Sequence, residues 1–379
     1  MLPLALACFA AAELAHYAVV VIGDRPYPIF WIPLGLLAAA LLREDRKRWP
    51  ALCAAAAVSV LLSGIVIHGH DWLTDTLGMA TTIVEAVAVA VLVRRSVEGP
   101  FKEPFELTQV PHVWNLALMS ALVAAVGGLL DATLLDLRHG ADLLLAWRTR
   151  TMSELDGLLL AAPAVLGVIS GPSLFSTRTV KRRRVEAILA MLLALVVVEA
   201  VFGDLAPSVV RVPAYVLPVL LWIAFRCEAG DAALAMFAVC ALGVWNTSEG
   251  RGPFTLVGPK AGLDAWTLRA QGAAVTTSLS IMLLAAVVAE RRQAADERNQ
   301  LVVELQNALA EIKTLHGLIP LCAWCHKIRD DAGAWQALEG YLQDHTDATF
   351  SHSICPSCTL AMNAEQIAAV EARSRPATS

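Results

Sequence analysis

Charge is what this chain has least of. Asp, Glu, Lys and Arg make up 17% of its 379 residues, where a soluble domain carries about 25%. Apolar residues rise to 57%, against roughly 45–50%, and mean hydropathy reaches +0.60. A chain so poor in charge is excluded as an ordinary soluble globule. No basic stretch interleaved with aromatics occurs, which excludes a nucleic-acid binder. The single dense basic run, Lys181–Arg184, lies between apolar segments and reads as an orientation signal rather than a lipid-headgroup site. No basic region precedes the first apolar run, and Glu13 and His16 interrupt that run, so a cleaved signal peptide is not expected. Internal repeats and low-complexity segments are absent as well.

What is there is arranged in apolar runs of about 20 residues, the length that crosses a hydrocarbon core about 30 Å thick. Spans are expected near 2–21, 28–43, 49–68, 73–93, 112–135, 151–170, 186–203, 212–225, 230–246 and 268–289. The second and eighth are short, so the expected fold is an all-α membrane bundle of about ten transmembrane helices, or eight if those two do not cross. Connections after even-numbered spans carry the basic residues: Arg43, Arg46, Lys47 and Arg48; Arg94, Arg95 and Lys102; Arg178 and the 181–184 run; Arg226. The odd connections carry isolated ones, Arg25, Arg138, Arg211, Arg251 and Lys260. Lys and Arg mark the cytosolic side, which places both termini in the cytosol and the bundle in the cell inner membrane.

The segment after residue 290 reads as soluble protein. Leu305, Ile312 and Ile319 fall seven apart, as do Leu301, Ala308 and Leu315. This narrow heptad seam predicts a parallel two-helix coiled coil over 291–318, and hence a homodimer, rather than one amphipathic helix packed on the tail.

The eight cysteines divide evenly. Cys8, Cys53, Cys227 and Cys240 are scattered through apolar spans, where cysteine behaves as a small hydrophobe. Cys322, Cys325, Cys355 and Cys358 form two C-x-x-C pairs. Between them, 327–335 reads as a hairpin turning at Asp331 to Gly333, and 336–344 as a short helix; the second pair opens a last helix. Two turn-borne pairs of thiolates suit one structural zinc ion, which would stabilise a zinc-knuckle-like α+β module too small to build much of a core. Cys322-Ala-Trp-Cys325-His326 also matches the c-type haem attachment pattern. Haem is not expected, because attachment occurs outside the cytosol and would leave Cys355 and Cys358 unexplained. A redox dithiol switch is the other alternative.

Ionisable residues within membrane spans cost several kcal/mol unless paired or hydrated, so each is a functional candidate. They are Glu13, His16, Glu85, Asp131, Asp136, Glu154, Asp156 and Glu199. Arg148 and Arg150 precede Glu154 and Asp156, and Arg150 stands one helical turn from Glu154, close enough to pair. Arg150, Glu154 and Asp156, with Glu85 second, are the expected lining of a polar cavity for a small ligand or ion near the outer leaflet. The competing reading makes them interhelical pairs that hold the bundle together. Trp114, Trp147 and Trp222 are expected to anchor or pack.

Several short stretches carry a resemblance when taken in order: Phe30-Trp-Ile-Pro-Leu-Gly35, Arg48-Trp-Pro50, Glu85 with Arg94-Arg95, Leu155-Asp-Gly157 with Pro163, Leu221-Trp-Ile-Ala-Phe-Arg226, Gly250-Arg-Gly-Pro-Phe254 and Glu290-Arg291. Together they resemble the first class of bacterial membrane-associated sensor domains, the MASE type. The resemblance implies a stimulus sensor placed ahead of a histidine kinase, diguanylate cyclase or phosphodiesterase. None of those output signatures occurs. From Ile312 through Gly317-Leu-Ile-Pro320, the two cysteine pairs and Phe350-Ser-His352, the tail is instead similar to a small cysteine-pair module of bacterial signalling proteins, with His326 where that module usually has lysine.

The expected organisation is a sensor domain over 1–290, a coiled-coil linker over 291–318 and a zinc module over 319–379. The expected function is a non-enzymatic sensor in the lipid bilayer that relays a stimulus to a cytosolic or membrane signalling partner. No nucleophile with its base, phosphate loop or open metal position is present. A transporter or permease is the alternative; it would suit the buried acids and interrupted spans but has no need of a coiled coil.

Overall fold

The computed structural model describes residues 2–17, 19–22, 25–97, 105–133, 142–170, 181–203, 211–256, 263–311, 319–330, 332–346, 349–362 and 364–374. Asp136, Ile312, Leu315 and Asp331 lie outside the described residues. The chain divides into two compact units, Met1–Ala294 and Ala295–Ser379.

In the first unit α1 (Leu2–Tyr17) leads into a hairpin of β1 (Val19–Ile22) and β2 (Arg25–Pro28). Then follow α2 (Ile32–Arg43), α3 (Trp49–Leu61), α4 (Trp72–Val97), α5 (Val110–Asp131), α6 (Leu143–Asp156), α7 (Ala162–Ser170), α8 (Lys181–Phe202), α9 (Leu217–Arg226), α10 (Ala229–Ser248) and α11 (Leu263–Glu311). Among the described residues seven helices are long and apolar enough to cross a membrane, and three shorter apolar helices, Leu2–Tyr17, Ile32–Arg43 and Pro213–Arg226, fall on the remaining expected spans. This is a polytopic helical bundle, and the protein is a multi-pass membrane protein. Large apolar side chains such as Val84, Leu122, Leu189 and Val196 are exposed, as befits helices that face lipid on one side and neighbours on the other.

Proline starts several of these helices. Pro33, Pro50, Pro111 and Pro218 stand in the first turns of α2, α3, α5 and α9, where the missing N–H is no loss. Prolines also explain the hairpin, which the apolar pattern concealed. Pro26 and Pro28 push Arg25 and Tyr27 out of helical geometry, so the expected first and second spans are trimmed to α1 and α2, with strand pairs Val19 to Pro28 and Val21 to Pro26 between them.

Helix α2 lies at the heart of the bundle, with Leu34, Leu37, Ala38 and Leu41 fully buried and α1, α3, α4 and α7 packed around it. Widened, π-helical turns interrupt the α-helical geometry. Leu62–Ile67 continues α3 as a π-helix, and Gly157–Ala161 joins α6 to α7 in the same way. Such widened turns are frequent at functional sites. Helix α6 begins eight residues before the expected span. Asp142 caps it by accepting from the Leu144 and Leu145 amides, and the pairing of Arg150 lets the charged first turns enter the bundle.

The second unit holds β3 (Ile328–Arg329), β4 (Trp335–Gln336), α12 (Leu338–His345), α13 (Pro356–Ala361) and α14 (Ala364–Ser374). The expected hairpin is present: Arg329 pairs with Trp335, and the Asp330 carboxylate accepts from the Ala334 amide at 2.8 Å. The expected helix over 336–344 is α12.

Candidate functional site

A cavity of about 660 Å³ runs into the first unit from its surface. Its walls come from the end of α1, the β1–β2 hairpin, the connection from the first π-helix into α4, and the facing parts of α5 and α6. Exposed His68 and Asp71 line one end, whereas Asp131 and Glu154 line the other at 5% and 4% exposure.

Three contacts hold the hairpin and the start of α2 against α6 and α4. The Ser153 hydroxyl donates to the Pro28 carbonyl at 2.6 Å, and the Trp31 amide donates to the Ser153 carbonyl at 3.0 Å. The Trp31 indole donates to Thr82 of α4 at 2.9 Å. Ser153 thus braces the Phe30–Gly35 stretch on the turn that ends in Gly157. Sequence reading passed over this residue because one serine in a helix carries no distinguishing pattern.

At the buried end, Arg150 forms a salt bridge to Asp131 at 3.1 Å and lies over the Tyr27 ring at 5.0 Å. The expected neighbour Glu154 is also within its electrostatic reach. Asp131 comes from α5; in the sequence it stands out only as one more intramembrane acid. Glu85 of α4 is buried and interacts with Asp131, Arg150 and Glu154. A Cβ at Gly127 would overlap the Glu85 carboxylate, so this glycine makes room for it. Among the described residues, Glu85 Oε1 and Glu154 Oε2, both sealed from solvent, have no hydrogen-bond partner.

The structure therefore brings Arg150 and Glu154 together at the cavity wall, adds Asp131, and sets Glu85 behind them. Asp156, expected in the same group, is not among the lining residues. It is fully buried and lies within electrostatic range of Cys240 on α10. The reason is helical geometry: two residues on from Glu154 is about 200° around the axis. Glu199 is elsewhere too, accepting from Asn246 at 2.9 Å. Trp147 packs, donating to the Ala125 carbonyl at 2.9 Å.

The outer end gathers residues far apart in sequence. His16 stacks on His68 at 3.9 Å between ring centroids, and His70 lies 5.0 Å from His16. Glu13 accepts from Ser63 at 2.6 Å and lies 3.2 Å from His68, while His70 lies 3.4 Å from Asp75. One clue existed, since the expected topology puts the end of the first span and the connection holding His68 and His70 on the same membrane side. A second cavity, of about 250 Å³ and walled by α8 to α11, is lined by no acid, base or histidine among the described residues.

In the second unit each cysteine pair closes on itself. The Cys325 and Trp324 amides and the Cys325 side chain hold the Cys322 thiol below its ordinary pKa. Cys355 caps α13, and its pKa is pushed down to about 7, chiefly by the Ser357 hydroxyl. The neighbouring Cys355 raises that of Cys358. Among the described residues no three His, Cys, Asp or Glu side chains converge as a ready metal centre. The donor set itself, four thiols on two tight turns, has the chemistry of a structural zinc site.

No curated protein and no solved structure matches this chain. The MASE1 family profile matches residues 1–293, a stretch that takes in the cavity, both π-helices and the buried acids, and so the chain belongs to the MASE1 family of membrane-associated sensor domains.

Proposed function

We propose that the chain is a bacterial inner-membrane sensor whose stimulus site is the cavity bordered by Arg150, Glu154 and Asp131, and whose output leaves through α11. One observation carries the reading. The 49-residue helix α11 is hydrogen-bonded to the two backbone segments that frame the site. The buried Gln271 amide donates to the Ile29 carbonyl at 2.8 Å, beside the Phe30–Trp31 brace. The buried Ser278 hydroxyl donates to the Leu159 carbonyl at 2.9 Å, in the π-helix that follows Glu154. A change in the packing of α6 thus has a direct mechanical connection to the helix that runs on past the bundle.

Beyond the bundle, Leu301, Leu305 and Leu309 are exposed, which supports pairing of this helix with that of a second chain. The cysteine-pair module then holds zinc through Cys322, Cys325, Cys355 and Cys358 and engages a signalling partner. Zinc supplies stability to the module, not catalysis, and both termini lie in the cytosol. No enzymatic step is assigned to the chain.

The test is co-purification of partners from native membranes with the full-length chain, alongside membrane abundance. Gln271→Leu and Glu154→Gln should alter the set of captured partners at unchanged abundance. An identical set from wild type and both variants would overturn the relay.

A further inference from the structure

Helix α11, read above as the output helix, caps two other helices where it leaves the bundle; the functional weight of those caps rests on that reading. The Glu290 carboxylate accepts from the amide of Val110, the first residue of α5, at 2.7 Å. The N-cap residue of α5, Gln109, makes no side-chain cap of its own. Two residues further along α11, the Arg292 guanidinium donates to the Phe225 and Cys227 carbonyls at the end of α9. The basic residue in that last turn, Arg226, is engaged elsewhere, donating to Glu186 at 2.8 Å. A carboxylate at a helix N-terminus and a guanidinium at a C-terminus each meet backbone groups that the helix leaves unpaired, at the favourable end of its dipole. Hydrogen bonds to a charged group are also the stronger kind. The two side chains leave the axis of α11 about 200° apart, so the helix is held from two sides. Turning it toward either cap draws the other out of reach, and sliding it by one turn, about 5.4 Å, breaks both.

We infer that Glu290 and Arg292 form a latch that fixes the rotational and axial register in which α11 passes out of the bundle. Ser278, tied to the π-helix that follows Glu154, stands about 18 Å back along the same axis. A turn or slide imposed there reaches the latch through one continuous helix.

The experiment measures the distance between genetically encoded spin labels at Leu118 of α5 and Ala294 of α11, both exposed. It uses the full-length protein in lipid nanodiscs with every cysteine in place, the labelled chains diluted with unlabelled copies. Wild type should give one narrow distribution. Glu290→Leu and Arg292→Leu should each shift or split it, by about 1–2 Å for a helix shift and up to about 5.4 Å for a one-turn ratchet. Glu290→Gln keeps an acceptor at full reach and should match wild type. Glu290→Asp keeps the charge but falls short of Val110, so it should behave as Glu290→Leu does, and it preserves the test where a leucine variant folds poorly. Unchanged distributions in the folded variants would overturn the latch. A lowered melting temperature with unchanged distributions would do so too, since the two residues would then be helix caps and nothing more. The latch and the relay fail separately. Unchanged distributions, with partner capture altered in Gln271→Leu, overturn the latch alone. Shifted distributions, with the same partners captured by every variant, overturn the relay alone.

Discussion

A Cβ placed on Gly35 of α2 would fall inside the van der Waals envelope of the Gly157 carbonyl oxygen, and one placed on Gly157 would meet the carbonyl of Trp31 in the same way. The two glycines set how closely the central helix approaches the π-helix below the cavity. This contact gives the first and fourth family stretches, which lie far apart in sequence, one physical reason.

Gly35→Ala and Gly157→Ala should therefore each lower the thermal stability of the purified protein by about 1–3 kcal/mol, the ordinary cost of overpacking. Gly272→Ala on α11, where nothing lies within 4 Å, should be tolerated. Melting in detergent and abundance in membranes read both effects; equal tolerance at all three positions would show that the close approach is not required.

The Arg150–Asp131 pair should behave as a buried ion pair. Arg150→Gln leaves Asp131 without its salt bridge and should cost about 3–5 kcal/mol. The double variant with Asp131→Asn should recover part of that loss, because the uncompensated charge is gone. A double-mutant cycle on melting temperature measures the recovery; strict additivity would mean the two residues act independently.

Metal content checks the tail. Purified full-length protein should carry one zinc per chain and no covalent haem. Cys355→Ser should lose the metal and make the segment after residue 318 more sensitive to protease. Retention of metal and protease resistance in that variant would rule out four-thiolate binding.

Pairing of α11 is read by crosslinking. With the four tail cysteines replaced by serine, Ala308→Cys on the heptad seam should form a disulfide between chains efficiently, and Gln306→Cys off the seam should not. Both positions are exposed in the single chain, so equal crosslinking would argue for a lone helix.

Orientation is tested by a reporter active only in the periplasm. Fused after Ser379 it should be silent. An active fusion would reverse the expected topology and reopen the haem alternative.

The membrane bundle was legible in the chain itself, because the hydrocarbon core demands long runs of apolar residues whatever their neighbours. Each of the ten expected spans coincides with an apolar helix, and the tail hairpin was legible from its local turn chemistry. The partial signals were those in which two rules competed. Apolar content alone extended the first two spans across residues 19–28, where alternating prolines impose a hairpin. Charge alone kept Arg150 out of a span, where a partner on another helix lets it in. That partner, Asp131, lies nineteen residues away, as invisible to helical periodicity as the meeting of His16 with His68 or of Gln271 with the Ile29 carbonyl. Periodicity reports which residues share a face of one helix. It placed Glu154 beside Arg150 for that reason, but which neighbour each face meets is decided by packing. Only the tertiary structure could turn Asp156 away from the cavity and keep Glu154 at its wall.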